Sequence, residues 1–213
     1  MLFDKIITLS LNPVADITLY VDGFIMGSEN NVTSELYDSA GKAVDVSRVL
    51  QSYELANTAL IVAGQENSKR YFERLNDEHV RTRVILAPGR MRENISIVTP
   101  DGTFTRLIRK SPKIRQRTID ELETALSEEI RPATLVVVAG AMPEGVTDDI
   151  FCEICMFIKE CGGTVALDTR SATLENIAKI QPWVIKPNFE ELCMLVGRPL
   201  ESLEQIKAAE TKE

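Results

Sequence analysis

The chain has 213 residues, which is enough for one sizeable domain with a buried core. Hydrophobic residues make up 44% of it and charged residues 26%, an ordinary balance for a globular protein. The net charge of −8 argues against nucleic acid and against an anionic membrane as partners, and no apolar run reaches the length of a transmembrane helix. Because Asp4 and Lys5 interrupt the N-terminus, we expect no signal peptide and a cytoplasmic protein.

The first elements along the chain are a buried strand and an exposed ribbon. Residues 5–11 form an apolar run that ends at Asn12, which precedes a proline and marks a turn. Asp16 follows, and after it come two short runs, 17–21 and 32–37, in which apolar and polar residues alternate. Such alternation is typical of strands with one wet face, so we predict an antiparallel ribbon here.

The next stretch turns an extended run directly into a helix. The run breaks at residues 39–41, and helical spacing then relates four apolar side chains that we predict to form the buried face, namely Val46, Val49, Leu50 and Tyr53. Gly41 and Lys42 would stand at the helix N-terminus, where free N–H groups, the helix dipole and an ammonium favour a phosphate. Many such turns bind nothing, and the spacing alone leaves both interpretations open.

The rest of the sequence alternates apolar strands with amphipathic helices. Strands are predicted at 58–63, 83–87, 94–98, 103–108, 135–139, 165–167 and 183–185, and the pair 94–98 and 103–108 forms a hairpin that we assign to the exposed ribbon. Helices are predicted to start at Asn67 or Ser68, at Thr118 (a capping box with Glu121), at Thr147, near Leu174, at Asn188 and at Ser202. Cys152 and Cys155 form a C-x-x-C, but apolar residues at helical spacing surround them and predict core positions rather than redox or zinc chemistry.

This alternation predicts an α/β fold with a Rossmann-like, doubly wound and mostly parallel sheet, plus a small β-sheet lid made of the exposed ribbon. Ligands in such folds bind at the carboxyl ends of the strands. Those ends carry polar side chains and glycines that would converge on one edge, namely Asn12, Asp16, Gly64, Gly140, Asp168, Lys186 and Asn188.

Positive charge is concentrated in one segment. Ten basic residues and only two acidic ones, Glu93 and Asp101, lie between Arg81 and Arg117. The segment is either a solvated face with a basic linker or a basic surface directed at an anionic small molecule, and the sequence alone does not choose between them.

Six motifs together resemble the ribokinase-type (PfkB) carbohydrate kinases, in particular the 1-phosphofructokinase and tagatose-6-phosphate kinase branch. They are TLSLNPVAD at 8–16, AGKAVDVSRVL at 40–50, RENISI at 92–97, VVVAGAMPEGV at 136–146, LDTRSATL at 167–174 and IKPNFEEL at 185–192. The resemblance implies a ribokinase-like core with lid strands inserted at about 15–38 and 90–110. It also implies a lid that closes over the sugar and often forms a homodimer interface.

The resemblance also implies roles for individual residues. Asp16 would hold sugar hydroxyls, Gly41 and Lys42 belong to the substrate turn, and Asp45 occupies the place of a sugar-binding Asn. Arg92 and Arg106 would bind the phosphate already on the sugar, which suits the fork geometry of a guanidinium. Lys186 and Asn188 would contact nucleotide phosphates, and Asn188 with Glu191 would organise Mg²⁺, although the same pair equally fits an N-cap and its capping-box partner.

The chain departs from the family pattern in two ways. The substrate turn has Ala40 and Ala43 where the family has glycine, and the carboxylate of Asp45 would repel an anion unless it contacts only hydroxyls or the helix dipole. The family's catalytic base lies in a G-A-G-D turn, and no glycine occurs after Gly197. We therefore expect one incomplete α/β domain over residues 1–213, with the base beyond Glu213 and the C-terminal nucleotide-binding part absent.

These observations lead to two functional hypotheses. The first is the sugar-binding part of an ATP- and Mg²⁺-dependent kinase that converts a sugar phosphate to the bisphosphate, inactive as 213 residues. The second is a non-catalytic relative that only binds a sugar phosphate. A dinucleotide-binding protein is disfavoured, because no G-x-G-x-x-G follows the first strand.

Overall fold

A computed structural model describes residues 2–210 of the chain. Its strands are β1 (Lys5–Ser10), β2 (Val14–Val21), β3 (Val32–Ala40), β4 (Asn57–Gly64), β5 (Thr82–Ala87), β6 (Arg92–Val98), β7 (Phe104–Ile108), β8 (Thr134–Ala139), β9 (Thr164–Asp168) and β10 (Val184–Ile185). Its helices are α1 (Lys42–Ser52), α2 (Lys69–Asp77), α3 (Gln116–Glu129), α4 (Asp148–Glu160), α5 (Leu174–Ile180), α6 (Phe189–Val196) and α7 (Leu203–Glu210). The predicted C-terminal helix thus begins as expected, and the last residues of that prediction, 211–213, lie outside the described part of the chain.

Six strands form a parallel sheet in the order β10-β9-β8-β1-β4-β5. Residues of β4 alternate between two apolar clusters, because successive side chains of a strand point to opposite faces. Leu60 and Val62 pack in the cluster that includes α3 and α4, whereas Ala59 and Ile61 pack in the cluster that includes α1 and α2. Helices therefore cover both faces of the sheet, which confirms the predicted doubly wound α/β class.

The other four strands form a second sheet in the order β3-β2-β6-β7. The β2–β3 and β6–β7 pairs are antiparallel, and β2–β6 is parallel. The two exposed ribbons predicted from alternation therefore belong to one small sheet, as expected. Its strands start earlier than predicted in β2 and β6 and run three residues longer in β3, up to the turn at Gly41.

The predicted apolar face of α1 is only partly right. Val46 and Leu50 are half-buried, but Val49 and Tyr53 are 55% and 74% exposed. The fully buried side chains of the helix are those of Ala43, Val44 and Ser47. Small residues on this face allow close approach to the sheet, where the Ser47 and Thr8 hydroxyls hydrogen-bond at 2.6 Å. The polar character of this contact concealed the buried face in the sequence.

Capping predictions met with mixed outcomes. Thr147 accepts a hydrogen bond from the Ile150 amide as an N-cap, as predicted. The capping box at Thr118 is wrong, because α3 begins earlier and Thr118 is buried within its first turn. Ser68 occupies the N-cap position of α2 without a side-chain bond, and Asn67 hydrogen-bonds to a different part of the chain. Across residues 2–210, no helix is both long enough and apolar enough to cross a membrane.

Candidate functional site at the seam between the two sheets

The two sheets meet where β2, β3 and β6 lie side by side. Val14, the first residue of β2, pairs with Ala40 of β3 on one side and with Arg92 of β6 on the other. Gly41 follows Ala40 and starts α1 directly, with φ 140° and ψ 132°. The register therefore brings the substrate turn, the start of β2 and the start of β6 to one place, which we call the seam.

Asp16 is the centre of a polar cluster on the second sheet. It lies two residues along β2 from Val14, opposite Asn94 of β6. Its Oδ1 accepts hydrogen bonds from Asn94 Nδ2 at 2.7 Å and from an Arg106 guanidinium nitrogen at 3.0 Å. The structure thus brings together Asp16, which we predict to hold sugar hydroxyls, and Arg106, which we predict to bind the phosphate, and it adds Asn94, which the sequence analysis did not single out.

Three buried polar atoms at the seam have no hydrogen-bond partner among the described residues. They are the side-chain atoms Asn12 Oδ1, Arg92 Nε and Asn94 Oδ1, and no other buried side-chain nitrogen or oxygen lacks a partner in the described part of the chain. Arg92 also makes no ion pair with a described carboxylate, whereas Arg106 pairs with Asp16. Since an unsatisfied buried polar atom is costly, the clustering of all three at one place indicates a site whose partner is a polar ligand.

The substrate turn is built around Gly41. Its positive φ is open to glycine and strained for other residues, while Ala40 and Ala43 have ordinary backbone angles. The two alanines therefore leave the turn intact. Ala43 belongs to the buried face of α1 rather than to the surface of the turn.

Asp168 links Lys42 to Lys186. It ends β9, is nearly buried, and its two carboxylate oxygens lie 2.9 Å from Lys42 Nζ and 3.5 Å from Lys186 Nζ. The residues predicted to bind substrate and nucleotide are thus held by one carboxylate at the carboxyl edge of the central sheet. The sequence placed Asp168 at this edge but gave no sign of the double ion pair.

The carboxylate of Asp45 forms an ion pair with a neighbouring arginine. Arg48, one turn further along α1, contacts Asp45 at 3.1 Å, Asp38 at 3.0 Å and Glu78 at 2.8 Å. Burial raises the pKa of Asp45, and Arg48 opposes that rise through a hydrogen bond and its charge. Because one guanidinium is shared among three carboxylates, Arg48 offsets only part of the repulsion that the Asp45 carboxylate would exert on an anion.

Asn188 and Glu191 form the capping box of α6. The Asn188 side chain accepts from the Glu191 amide at 2.8 Å, and Glu191 Oε2 accepts from the Asn188 amide at 2.9 Å. Of the two interpretations open from the sequence, the capping role is present. Within residues 2–210, no group of three or more acidic, His or Cys side chains is placed to hold a metal.

A separate cavity of about 530 Å³ lies between the ends of β9 and β10 and the helices α5 and α6. Its lining includes Thr169, Arg170, Lys186 and Glu191. Of the residues that the resemblance assigns to the nucleotide side, Lys186 and Glu191 border this cavity, whereas Asn188 is not part of its lining.

The chain is similar to known proteins over most of its length. Residues 9–213 match the model of the pfkB family carbohydrate kinases. Similar curated proteins include the 1-phosphofructokinase of Haemophilus influenzae, 29% identical, and a tagatose-6-phosphate kinase of Staphylococcus epidermidis, 28% identical. In both comparisons the alignment covers 96% of this chain and 66% of the relative, so the chain spans about two thirds of the length of these relatives.

A solved structure shows the same fold. Phosphofructokinase-2 of Escherichia coli in complex with fructose-6-phosphate superimposes with a TM-score of 0.83 at 21% identity, over 96% of this chain and 68% of that one. The doubly wound sheet, the second sheet beside it and the family match over nearly the whole chain lead to one conclusion. The chain belongs to the pfkB family of carbohydrate kinases.

Proposed function

We propose that this chain carries the sugar-phosphate-binding part of a kinase that phosphorylates a substrate of the fructose 1-phosphate or tagatose 6-phosphate type to the bisphosphate. The observation that carries the proposal is the seam, where Asn12, Arg92 and Asn94 each present an unsatisfied buried polar atom beside Asp16. A phosphorylated sugar combines the hydroxyl groups and the dianion that these groups can bind.

Each residue of the seam has a distinct task. Arg92 and Arg106 bind the phosphate already on the sugar, since a guanidinium donates two parallel hydrogen bonds to phosphate oxygens. Asp16, with Asn94 and Asn12, accepts from and donates to sugar hydroxyls and fixes their orientation. Gly41 and Lys42 present helix N–H groups and an ammonium to the reacting end of the sugar.

ATP, with Mg²⁺, supplies the phosphoryl group in this proposal, as expected for the family. Lys186 borders the cavity beside β9 and would contact nucleotide phosphates, while Asn188 and Glu191 hold the start of α6 beside it. The attacking sugar hydroxyl must lose a proton to a base. We assign that base to a part of the protein outside these 213 residues, because Asp16, Asp45 and Asp168 are each ion-paired with a lysine or arginine, which makes a carboxylate a weaker base.

The activity test is a coupled ADP-release assay of the 213-residue chain with fructose 1-phosphate and with tagatose 6-phosphate. We expect negligible turnover alongside measurable binding of the sugar phosphate by calorimetry. Clear turnover would refute the assignment of the base, and absence of binding would refute the proposed function itself.

The binding test compares two arginine variants of equal charge change. Arg92→Ala should weaken fructose 1-phosphate binding roughly ten- to hundredfold, the usual worth of a charged hydrogen bond. Arg117→Ala is the control, because Arg117 lies on α3, is 90% exposed and pairs only with Glu121. Equal loss in both variants would mean that binding depends on net charge rather than on the seam.

A second candidate is a non-catalytic sugar-phosphate-binding protein. The observation that favours it is the ion pairing of Asp16 with Arg106 and of Asp168 with Lys42. ATP should then leave the affinity for the sugar phosphate unchanged. The kinase proposal instead expects ATP to change that affinity when the part of a relative that this chain does not cover is also present.

We further propose a cytoplasmic protein that binds small molecules rather than nucleic acid or membranes, and that forms a homodimer through the second sheet. Support for the dimer comes from the large apolar side chains exposed on that sheet, which include Leu36, Phe104, Leu107 and Ile108. Light scattering of the wild-type chain and of Phe104→Asp tests this, with a monomeric wild type contradicting it.

A further inference from the structure

The loop that leads into Arg92 is attached to the end of β4. Gln65 and Arg90 form an antiparallel bridge, and the Glu66 amide donates to the Gly89 carbonyl at 3.2 Å. A Cβ on Gly64 would lie 2.2 Å from the Met91 amide nitrogen, so the two segments approach too closely for any side chain at this position.

Asn67 holds the residue immediately before Arg92. Its Oδ1 accepts from the Met91 amide at 2.6 Å, and its Nδ2 donates to the Met91 carbonyl at 3.2 Å. Both backbone groups of Met91 are thus bonded to one carboxamide, which occupies the place that a neighbouring strand would take. Asn67 stands just before the N-cap of α2 and uses its side chain for this contact rather than for the helix.

The side chain of Met91 is fixed as well. It is 1% exposed and packs in the cluster with Ala15, Tyr71 and Leu75. Arg92 follows at once and pairs with Val14 of β2. The position of the Arg92 backbone is therefore set on one side by the β2 register and on the other by the peptide that Asn67 holds.

Arg92 needs such support more than an ordinary surface arginine does. Its Nε is buried without a partner, and its guanidinium has no described carboxylate to fix its direction. A binding group that is held in place before the ligand arrives loses less conformational entropy on binding.

We propose that Asn67 is a positioning residue for phosphate recognition, acting through Met91 to aim Arg92 at the phosphate of the bound sugar. The inference rests on the proposed function and deepens it. It distinguishes Asn67 from a residue that merely fastens a loop, because a positioning residue loses its effect once Arg92 is gone.

The experiment is a double-mutant cycle on fructose 1-phosphate binding, measured by calorimetry on the 213-residue chain. Asn67→Ala should weaken binding about tenfold in the wild type and less than about twofold in Arg92→Ala, because residues that act through one another are not additive. Asn76→Ala is the control, since Asn76 is exposed on α2, the helix that follows Asn67. It should change affinity in neither background.

A second variant covers the case in which Asn67→Ala does not fold. Asn67→Gln keeps both the acceptor for the Met91 amide and the donor to the Met91 carbonyl but displaces them by one methylene, so it should show the same non-additivity with a smaller loss. Thermal unfolding of each variant reports whether the fold is retained.

The outcomes separate this inference from the proposed function. Binding that is lost in Arg92→Ala but unchanged in the Asn67 variants overturns the inference and leaves the proposed function intact. Equal losses from the Asn67 variants in both backgrounds also overturn it, since Asn67 would then act on the fold alone. Failure of the wild type to bind, or full affinity in Arg92→Ala, overturns both.

Discussion

The two sheets of this protein differ in how deeply they are buried and in the residues that they carry. The central sheet is parallel, and its inner strands β1, β4 and β8 are buried almost throughout. The second sheet is mixed, and all five residues of β7 are exposed. Parallel strands covered by helices on both faces need apolar residues at nearly every position, whereas a sheet with one wet face can carry charge.

This difference explains where the candidate site lies. The polar residues Asp16, Asn94 and Arg106 are on the second sheet, while the cations Lys42 and Lys186 and their shared Asp168 are at the edge of the central sheet. The buried parallel sheet thus holds one half of the candidate site, and the more exposed mixed sheet holds the other. The seam combines the two.

The largest expected difference concerns apolar truncation in each sheet. Leu60 of β4 is fully buried, and Leu107 of β7 is 51% exposed. Leu60→Ala should lower the free energy of unfolding by about 3–5 kcal/mol, because it leaves a cavity in the core. Leu107→Ala should cost less than about 1 kcal/mol. Urea denaturation followed by circular dichroism measures both losses of unfolding free energy. Similar losses in the two variants would contradict the view that the central sheet forms the core and the second sheet does not.

A smaller but still large effect is expected where the sheets join. Gly64→Ala places a Cβ against the backbone of residues 90–91 and should cost roughly 3 kcal/mol, since backbone atoms cannot move aside as a flexible side chain can. Gly23→Ala is the matched control, because nothing lies within 4 Å of its added Cβ and it does not need a positive φ. A Gly64→Ala protein as stable as the control would show that the loop before Arg92 is loosely held.

The ion pairs that Arg48 and Arg74 form with Glu78 should make the stability of the fold depend on pH. Burial favours the neutral form of Glu78, but hydrogen bonds and charge from Arg48 and Arg74 outweigh it and lower the pKa below 4.5. The stabilisation from Glu78 is therefore present above the unfolded-state pKa and is lost as the pH falls through the lowered value in the folded state. Glu78→Gln should lose less stability between pH 7 and pH 3 than the wild type in parallel denaturation series. An identical pH profile would mean that the network does not contribute.

The smallest effect is predicted for Asp45. Because Arg48 already contacts this carboxylate, Asp45→Asn should change the affinity for fructose 1-phosphate less than about threefold by calorimetry. A much larger gain in affinity would show that Asp45 repels the phosphate directly, as its position in the sequence first suggested.

The fold was predictable because the hydrophobic pattern agrees with the positions of turn-forming and helix-capping residues over most of the chain. Alternation along 17–21, 32–37 and 103–108 indicated the second sheet, and apolar runs indicated the central one. The buried face of α1 was not predictable, because Ser47 is buried only through its hydrogen bond with Thr8, a partner 39 residues away. Periodicity of apolar residues does not register a polar contact of this kind.

The site was predictable one residue at a time but not as a network. Asp16, Arg92 and Arg106 were identified from sequence motifs, yet the register that places Asn94 opposite Asp16 depends on a parallel pairing of distant strands. Asn67 and Arg48 act through partners in other elements, and no local pattern marks them. One signal was present, since Arg92 and Asn94 are two apart in a strand and therefore share a face.

Hydrogen exchange of the 213-residue chain, with and without fructose 1-phosphate, measures directly whether the sugar phosphate binds at the seam. We expect the ligand to add protection in residues 10–16, 39–46 and 91–96 and to change nothing in α5. Protection confined to α5 and α6, or no protection anywhere, would contradict the claim that the seam binds the sugar phosphate.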